Sequence, residues 1–243
     1  MSASRTLATA RRVLGQLRHD HRTVALIIVV PTLLMALLAW ILPDDDWQQY
    51  GPPLLGIFPM LVMFLVTSVA TLRERTGGTL ERLLTMPMGK GDFVFGYAVA
   101  FGLLAIVQSL VVAGTCFGLL GLTVLGNAWL VLLVAVVDGL VGTALGLFVS
   151  AFARTEFQAV QFMPMALLPQ LLICGLLVPT DELPTALEWL SRILPLTYAI
   201  SAMAQVASQP EVGSEFWIDL GIVLAMGVAL LGLGAATLRR RTA

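Results

Sequence analysis

A single carboxylate, Asp138, stands near the middle of a long apolar stretch of the sequence. A charged side chain at the centre of a membrane helix costs roughly 2.5–3.5 kcal/mol on insertion scales, so such a residue is a functional candidate. This carboxyl group could attract a cationic substrate, relay a proton, or stay protonated and hydrogen-bond a neighbouring helix. Gln108, Gln161 and Gln170 lie at similar depth, where amides more often join helices than hold ligands. We treat these four residues as candidates for a substrate pathway.

The residue inventory argues against catalysis by this chain. His19 and His21 precede the first apolar stretch, so no serine within the stretches has a local histidine base. The segment Gly89-Lys90-Gly91-Asp92 has neither the spacing nor the hydroxyl of a phosphate-binding loop. Cys116 and Cys174 form no disulfide framework and have no metal-ligand spacing. We therefore expect no catalytic site, no metal site and no ATP site in this chain.

The composition requires a membrane environment. Apolar residues make up 58% of the 243 residues and charged residues only 12%, with a mean hydropathy of +0.91; soluble domains carry roughly 25% charged residues. Six apolar stretches are long enough to cross a hydrocarbon core of about 30 Å, and they lack the alternation of barrel strands. The predicted fold is an all-α membrane protein of one domain. Its six transmembrane helices are predicted at 24–42, 54–72, 94–120, 127–152, 158–178 and 216–238.

Basic residues give the orientation, because they accumulate on the cytoplasmic side of membrane proteins. Thirteen of the fourteen fall on one side of the predicted spans, and Arg192 is the exception. The thirteen are Arg5, Arg11, Arg12, Arg18, Arg22, Arg73, Arg75, Arg82, Lys90, Arg154, Arg239, Arg240 and Arg241. We therefore predict a multi-pass protein whose N- and C-termini are both cytoplasmic.

Two further segments are predicted to be helical without crossing the membrane. Residues 4–22 repeat leucine and alanine at helical spacing opposite a row of arginines, which is typical of an interfacial helix on the inner surface. Residues 179–209 are divided by prolines into two short helices, about 184–194 and 196–207. We expect this pair to re-enter the outer leaflet before span six. The candidates for an extracellular gate on it are Leu187, Leu190, Leu194, Pro195 and Tyr198.

The loop between spans two and three is predicted to contain a short helix of its own. Gly77 and Gly78 interrupt span two, and Thr79 can cap a new helix that Pro87 ends. Glu81 stands in its first turn, near the positive end of the helix dipole. The apolar face of this helix consists of Leu80, Leu83 and Leu84. A charged amphipathic helix in such a loop is suited to contact with a soluble partner.

The run from Arg73 to Pro87 resembles the corresponding loop of the ABC-2 type permease family, the membrane subunits of bacterial ATP-driven exporters, including the daunorubicin-type drug permeases. The segment Leu194-Pro195-Leu196-Thr197-Tyr198 is similar to that family's broken segment before its last span. The resemblance implies that residues 79–87 form a coupling helix that sits in a groove of an ATPase subunit. It assigns that contact to Thr79, Leu80, Glu81, Arg82, Leu83 and Leu84, with Arg154 and Glu156 as a second inner contact.

The same resemblance implies the partners and the location. A separate nucleotide-binding subunit would hold ATP and magnesium, and this chain would hold no cofactor. A second permease, identical or paralogous, would complete the transporter in the bacterial cytoplasmic membrane. The exported compound would be hydrophobic or amphipathic, a drug-like molecule before a lipid or a peptide, and no nucleic acid is expected to bind.

Two other functions remain open at this stage. The chain could be a proton- or ion-coupled carrier that relies on Asp138. Alternatively, it could be a membrane anchor for an ATPase and transport nothing itself.

The pairs Gly114/Gly118 and Gly142/Gly146 have the four-residue spacing that lets helices approach closely. Sequence alone leaves open whether these pairs pack helices within one subunit or join two subunits.

Overall fold

The computed structural model describes residues 3–77 and 90–237. Within these ranges the chain is all-helical, with nine α-helices and one 3-10 turn at Thr180–Glu182. The helices are α1 (Ala3–His19), α2 (His21–Ile41), α3 (Asp44–Thr76), α4 (Lys90–Gly118), α5 (Ala128–Val149), α6 (Glu156–Ile173), α7 (Thr185–Ser191), α8 (Pro195–Ser208) and α9 (Ser214–Thr237). The predicted coupling helix, 79–87, lies outside the described residues.

Five of these helices are long and apolar enough to cross a membrane: α2, α3, α4, α5 and α9. The fifth predicted span corresponds to α6, which has 18 residues. Glu156, three glutamines and two internal prolines lower the hydropathy of α6. The all-helical class is confirmed for the described residues, and a span at α6 stays a prediction.

The helix α3 is much longer than the span predicted at 54–72. Its 33 residues cover about 50 Å, more than the thickness of a hydrocarbon core. It begins at Asp44 with three acidic residues in the first turn. The positive end of the helix dipole stabilises their negative charges. Trp47 donates its indole hydrogen to the Leu120 carbonyl at 3.1 Å, and Gln48 accepts from the Thr123 amide at 2.7 Å. These bonds attach the extension to the loop between α4 and α5.

The most extensive helix contact in the molecule joins α3 and α5. The two helices run in the same direction, since Gly142 meets Met60 and Gly146 meets Phe64 one turn further along. A Cβ at Gly142 would overlap the Met60 carbonyl, and one at Gly146 would lie 2.5 Å from the Phe64 carbonyl oxygen. This glycine pair thus packs helices within one subunit. A Cβ at Gly114 or at Gly118 would meet no atom within 4 Å.

The N-terminal helix α1 packs against the first half of α4. The helices approach most closely at Gly96, where a Cβ would lie 2.6 Å from the Thr9 side chain. Ala10 and Leu17, which belong to the predicted repeat of leucine and alanine, are buried in the core that α1 shares with α4. Leu7, from the same repeat, is mostly exposed. The predicted helix is present, and most of its apolar face covers α4.

The two short helices predicted before the last span correspond to α7 and α8. The helix α8 packs against α3, α5 and α9, and its Met203 is fully buried. Met203 reaches Gly56 of α3, where the missing side chain makes room for it. One face of α8 therefore belongs to the central core of the bundle.

The glycine contact between α3 and α5 gives a stability prediction. Gly142→Ala should lower the free energy of unfolding by about 1–3 kcal/mol, because the added methyl overpacks the contact with Met60. Gly114→Ala is the matched control, and it should be neutral or stabilising, since alanine favours helix by about 0.5–1 kcal/mol. Thermal unfolding of the purified protein in mild detergent measures both. Equal midpoints for the two variants would contradict the described packing.

Candidate functional site

Two arginine–carboxylate pairs lie where α1, the end of α3 and the beginning of α6 come together. We call this region the basic end of the bundle, because thirteen of the fourteen basic residues were assigned to this side. Arg73 and Glu74, in the last turn of α3, supply one partner to each pair. The basic end is therefore the candidate site of contact with a soluble partner.

Arg73 forms a two-point ion pair with Glu156, at the first residue of α6. Its Nε donates to Oε1 at 2.8 Å and its terminal nitrogen donates to Oε2 at 2.9 Å. These bonds lower the pKa of the Glu156 carboxyl below its usual value. The pair therefore stays charged at neutral pH, and its stabilising effect is lost only as the pH falls through that lowered pKa. More than half of each side chain is exposed, so the pair contributes less than about 1 kcal/mol.

Glu74 binds Arg12 of α1, and this pair is more buried than the pair between Arg73 and Glu156. Oε1 of Glu74 accepts from Arg12 at 2.9 Å and from Gln16 at 3.3 Å, and its side chain is only 11% exposed. Arg12 also donates to the Tyr97 hydroxyl of α4 at 3.1 Å. Three helices, α1, α3 and α4, therefore meet at one guanidinium.

Consecutive residues of α3 are thus held by two different helices, Arg73 by α6 and Glu74 by α1. Arg12 was predicted to lie on the basic face of an interfacial helix, and no role was predicted for Glu74 or Tyr97. The available signal was Glu74 itself, an acidic residue between two arginines in a loop otherwise rich in basic residues. Arg154, the remaining predicted contact on this side, is exposed and its backbone amide donates to Gln158 at 2.8 Å.

The four pathway candidates are not brought together by hydrogen bonds in the structure. Asp138, on α5, is fully buried against α3. A Cβ placed on Gly56 of α3 would lie 3.5 Å from Oδ2 of Asp138. Among the described residues, neither oxygen of Asp138 and neither polar atom of the Gln108 side chain has a hydrogen-bond partner. Gln170 is buried and donates to the Ala166 carbonyl of its own helix at 3.0 Å. These three side chains belong to the helix-packed interior of the described bundle.

Gln161 differs from the other three because it is exposed on α6. It lines a pocket of about 310 Å³ together with Arg154, Gln158 and Met165. The same side of α6 exposes large apolar residues, including Leu168 and Leu172. An exposed amide among apolar side chains is costly against lipid, which indicates that this face of α6 meets protein or water.

A family model described as ABC-2 type transporter matches residues 5–207, most of the chain. The chain belongs to the ABC-2 type transporter family. It is 31% identical over 179 residues to ABC transporter G family member 20 of Dictyostelium discoideum, an alignment that covers 72% of this chain and 24% of that protein.

Two bacterial relatives match a larger part of this ABC-2 family member. Identity is 27% over 195 residues with the probable multidrug ABC transporter permease YbhR of Escherichia coli, covering 78% of this chain and 53% of the relative. Identity with the inner membrane transport permease YhhJ of the same species is 26% over 199 residues. That alignment covers 81% of this chain and 53% of YhhJ. The chain spans about half the length of these bacterial relatives.

The turn between α7 and α8, where the gate candidates lie, is closed by side-chain hydrogen bonds. Tyr198 donates to the Arg192 carbonyl at 2.7 Å, and Thr197 donates to the Ser191 carbonyl at 2.8 Å. The Tyr198 bond pairs the Arg192 carbonyl at the end of α7, and the Ser191 carbonyl accepts from the Leu194 amide at 3.1 Å as well as from Thr197. Pro195 is buried at the start of α8, whereas Leu187 and Leu190 are exposed on α7. The threonine and tyrosine of the Leu-Pro-Leu-Thr-Tyr motif therefore have a structural role in this family member.

The two ion pairs at the basic end should differ in their contribution to stability. Glu74→Ala should cost about 1–3 kcal/mol, because it leaves a half-buried guanidinium without its carboxylate. Glu156→Ala, the matched control, should cost less than about 1 kcal/mol, since that pair is exposed. Thermal unfolding at neutral pH measures both, and a larger loss for Glu156→Ala would contradict the assignment of Glu74 as the buried attachment.

Proposed function

We propose that this chain is the permease subunit of an ATP-driven exporter, in which a separate subunit binds and hydrolyses ATP with magnesium. The observation that supports this is the attachment of residues 73 and 74 to α6 and α1. In the proposal, a movement of segment 79–87 is passed to these two helices through the paired side chains. A loop with no partner on the soluble side would need neither attachment.

The energy transfer depends on two states of the complex. ATP can shift the balance between the two states only if the ATPase subunit binds the coupling segment differently in each. The residues proposed to make this contact are Thr79, Leu80, Glu81, Arg82, Leu83 and Leu84. Arg154 is exposed beside the basic end and is proposed as a second contact, whereas Glu156 acts by holding Arg73.

The proposal also includes a second permease, identical or paralogous, packed against the exposed face of α6. Gln161, Met165 and Leu172 share this face, which combines an amide with large apolar side chains. Such a surface is suited to a partly hydrated pathway between two subunits, and Gln161 is its polar group. Asp138, Gln108 and Gln170 are assigned to packing within the subunit.

The proposed substrate is an amphipathic or hydrophobic compound, with a drug-like molecule favoured over a lipid or a peptide. One relative is named as a probable multidrug permease and another as an inner membrane transport permease, which supports this substrate class and the bacterial inner membrane as the location. In this arrangement, both termini are cytoplasmic.

The coupling assignment can be tested by reversing charge on the coupling segment. The double variant Glu81→Arg with Arg82→Glu should abolish substrate-stimulated ATP hydrolysis by the reconstituted complex, while membrane insertion stays normal. A charge reversal on the opposite side, Glu182→Lys, serves as the control and should leave stimulation unchanged. Full stimulation in the double variant would remove these two residues from the coupling role.

The arrangement of two permeases can be tested by disulfide cross-linking. Met165→Cys and Leu172→Cys on α6 should each form cross-linked dimers in membranes, because the proposed interface brings the two copies of α6 together. Val228→Cys on α9 has a similar exposed fraction and should stay monomeric. The native Cys116 and Cys174 are buried, so they provide little background. Cross-linking at Val228 with none on α6 would place the interface elsewhere.

A further inference from the structure

A cleft of about 500 Å³ lies at the basic end, bounded by α2 on one side and α6 on the other. Both helices pack against α3, which forms the wall between them. Residues of α1 and α4 close the base. The rim is open, since Leu26 of α2 and Val160 of α6 are each about half exposed. Pockets of this size commonly hold small molecules.

The cleft has a polar end and an apolar end. Its apolar lining includes Leu26, Leu65, Val69, Phe101 and Val160. The charged lining residues are Asp20, Arg73, Glu74 and Glu156. Such a division fits a ligand that carries one charged group on an apolar body.

The charged end has an excess of carboxylates. Three carboxylates face one guanidinium within the lining, and Arg12 lies just beyond, bound to Glu74. Asp20 accepts from the Thr23 amide at 3.1 Å and from its hydroxyl at 2.6 Å. These bonds lower the pKa of Asp20, so its carboxylate is charged at neutral pH.

We propose that this cleft binds amphiphiles with a cationic head group, received from the bilayer leaflet at the basic end. The head group lies between Asp20 and the Glu74 carboxylate, and the apolar body lies against α3 between Leu26 and Val160. Arg12 pairs with Glu74 and Arg73 pairs with Glu156, so Asp20 carries the remaining negative charge, which disfavours an anionic head group at the same place. The inference deepens the proposed export function, on which it rests, by naming the substrate class that this chain receives.

The arginines elsewhere at the basic end do not reverse this preference. Arg5, Arg11, Arg18 and Arg22 are exposed and do not line the cleft. Salt screens exposed charges more strongly than the enclosed Glu74 carboxylate.

The test uses the purified full chain in nanodiscs of zwitterionic lipid, without an ATPase subunit. The probe is dodecyltrimethylammonium with a photoreactive diazirine in its alkyl chain, and the matched probe carries a sulfonate instead. Cross-linked peptides are identified by mass spectrometry. The cation should label residues 20–26, 65–74 and 156–160 in preference to other segments, and the anion should label them much less. Equal labelling by both probes, or cation labelling spread over all exposed helix faces, overturns the proposal.

Two variants and one control refine the test. Leu26→Trp fills the opening and should reduce cation labelling of the cleft to the anion level, whereas Leu110→Trp, at a similarly exposed position further along α4, should not. Asp20→Asn keeps the cap of α2, since asparagine caps as well as aspartate. It should weaken cation binding about two- to fivefold, as expected for a partly exposed charge pair, and leave anion binding unchanged. Unchanged cation binding in both Leu26→Trp and Asp20→Asn overturns the site.

The outcome is separable from that of the proposed function. Binding is measured on the permease alone, whereas the coupling test requires ATP hydrolysis by the complex. Stimulated ATPase activity without preferential cation labelling refutes the cleft and leaves the export function standing. Cation labelling in a chain that joins no ATPase refutes the export function and leaves a binding site.

Discussion

The contact between α3 and α5 is the constraint on which the positions of the other helices depend. Gly142 and Gly146 let α5 lie directly on the backbone of α3. Because the two helices are parallel and in close contact, they form one unit against which α2, α4, α6 and α8 pack. Near the middle of this unit Gly56 admits Met203, and at one end α3 presents Arg73 and Glu74.

The two attachments at the basic end have different physical characters. The Glu74–Arg12 pair is enclosed and joins α1 to α3, so its loss is costly. The Arg73–Glu156 pair is exposed and can break and reform at small cost. This difference suits a permease in which α1 moves with α3 while α6 changes its position. Contiguity alone does not establish coupling, which requires two states that both sites bias.

The sequence predicted the helices well because long apolar runs and prolines mark them directly. It missed the first ten residues of α3, which depend on bonds from Trp47 and Gln48 to a loop more than seventy residues away. The Arg12–Glu74 pair joins residues 62 positions apart, so neither charge pattern alone indicates it. Asp138 was identified correctly as deep in the bundle. Its direction, toward Gly56, depends on the packing of α3 and α5.

The most direct test of the account is to purify the tagged chain from its native membrane in mild detergent and identify what accompanies it. The account predicts a stoichiometric subunit with a phosphate-binding loop, lost when Glu81 and Arg82 are reversed, and a second permease of the same or a related sequence. Recovery of this chain alone, with no ATP hydrolysis and with transport that collapses with the proton gradient, would contradict the account and favour a carrier.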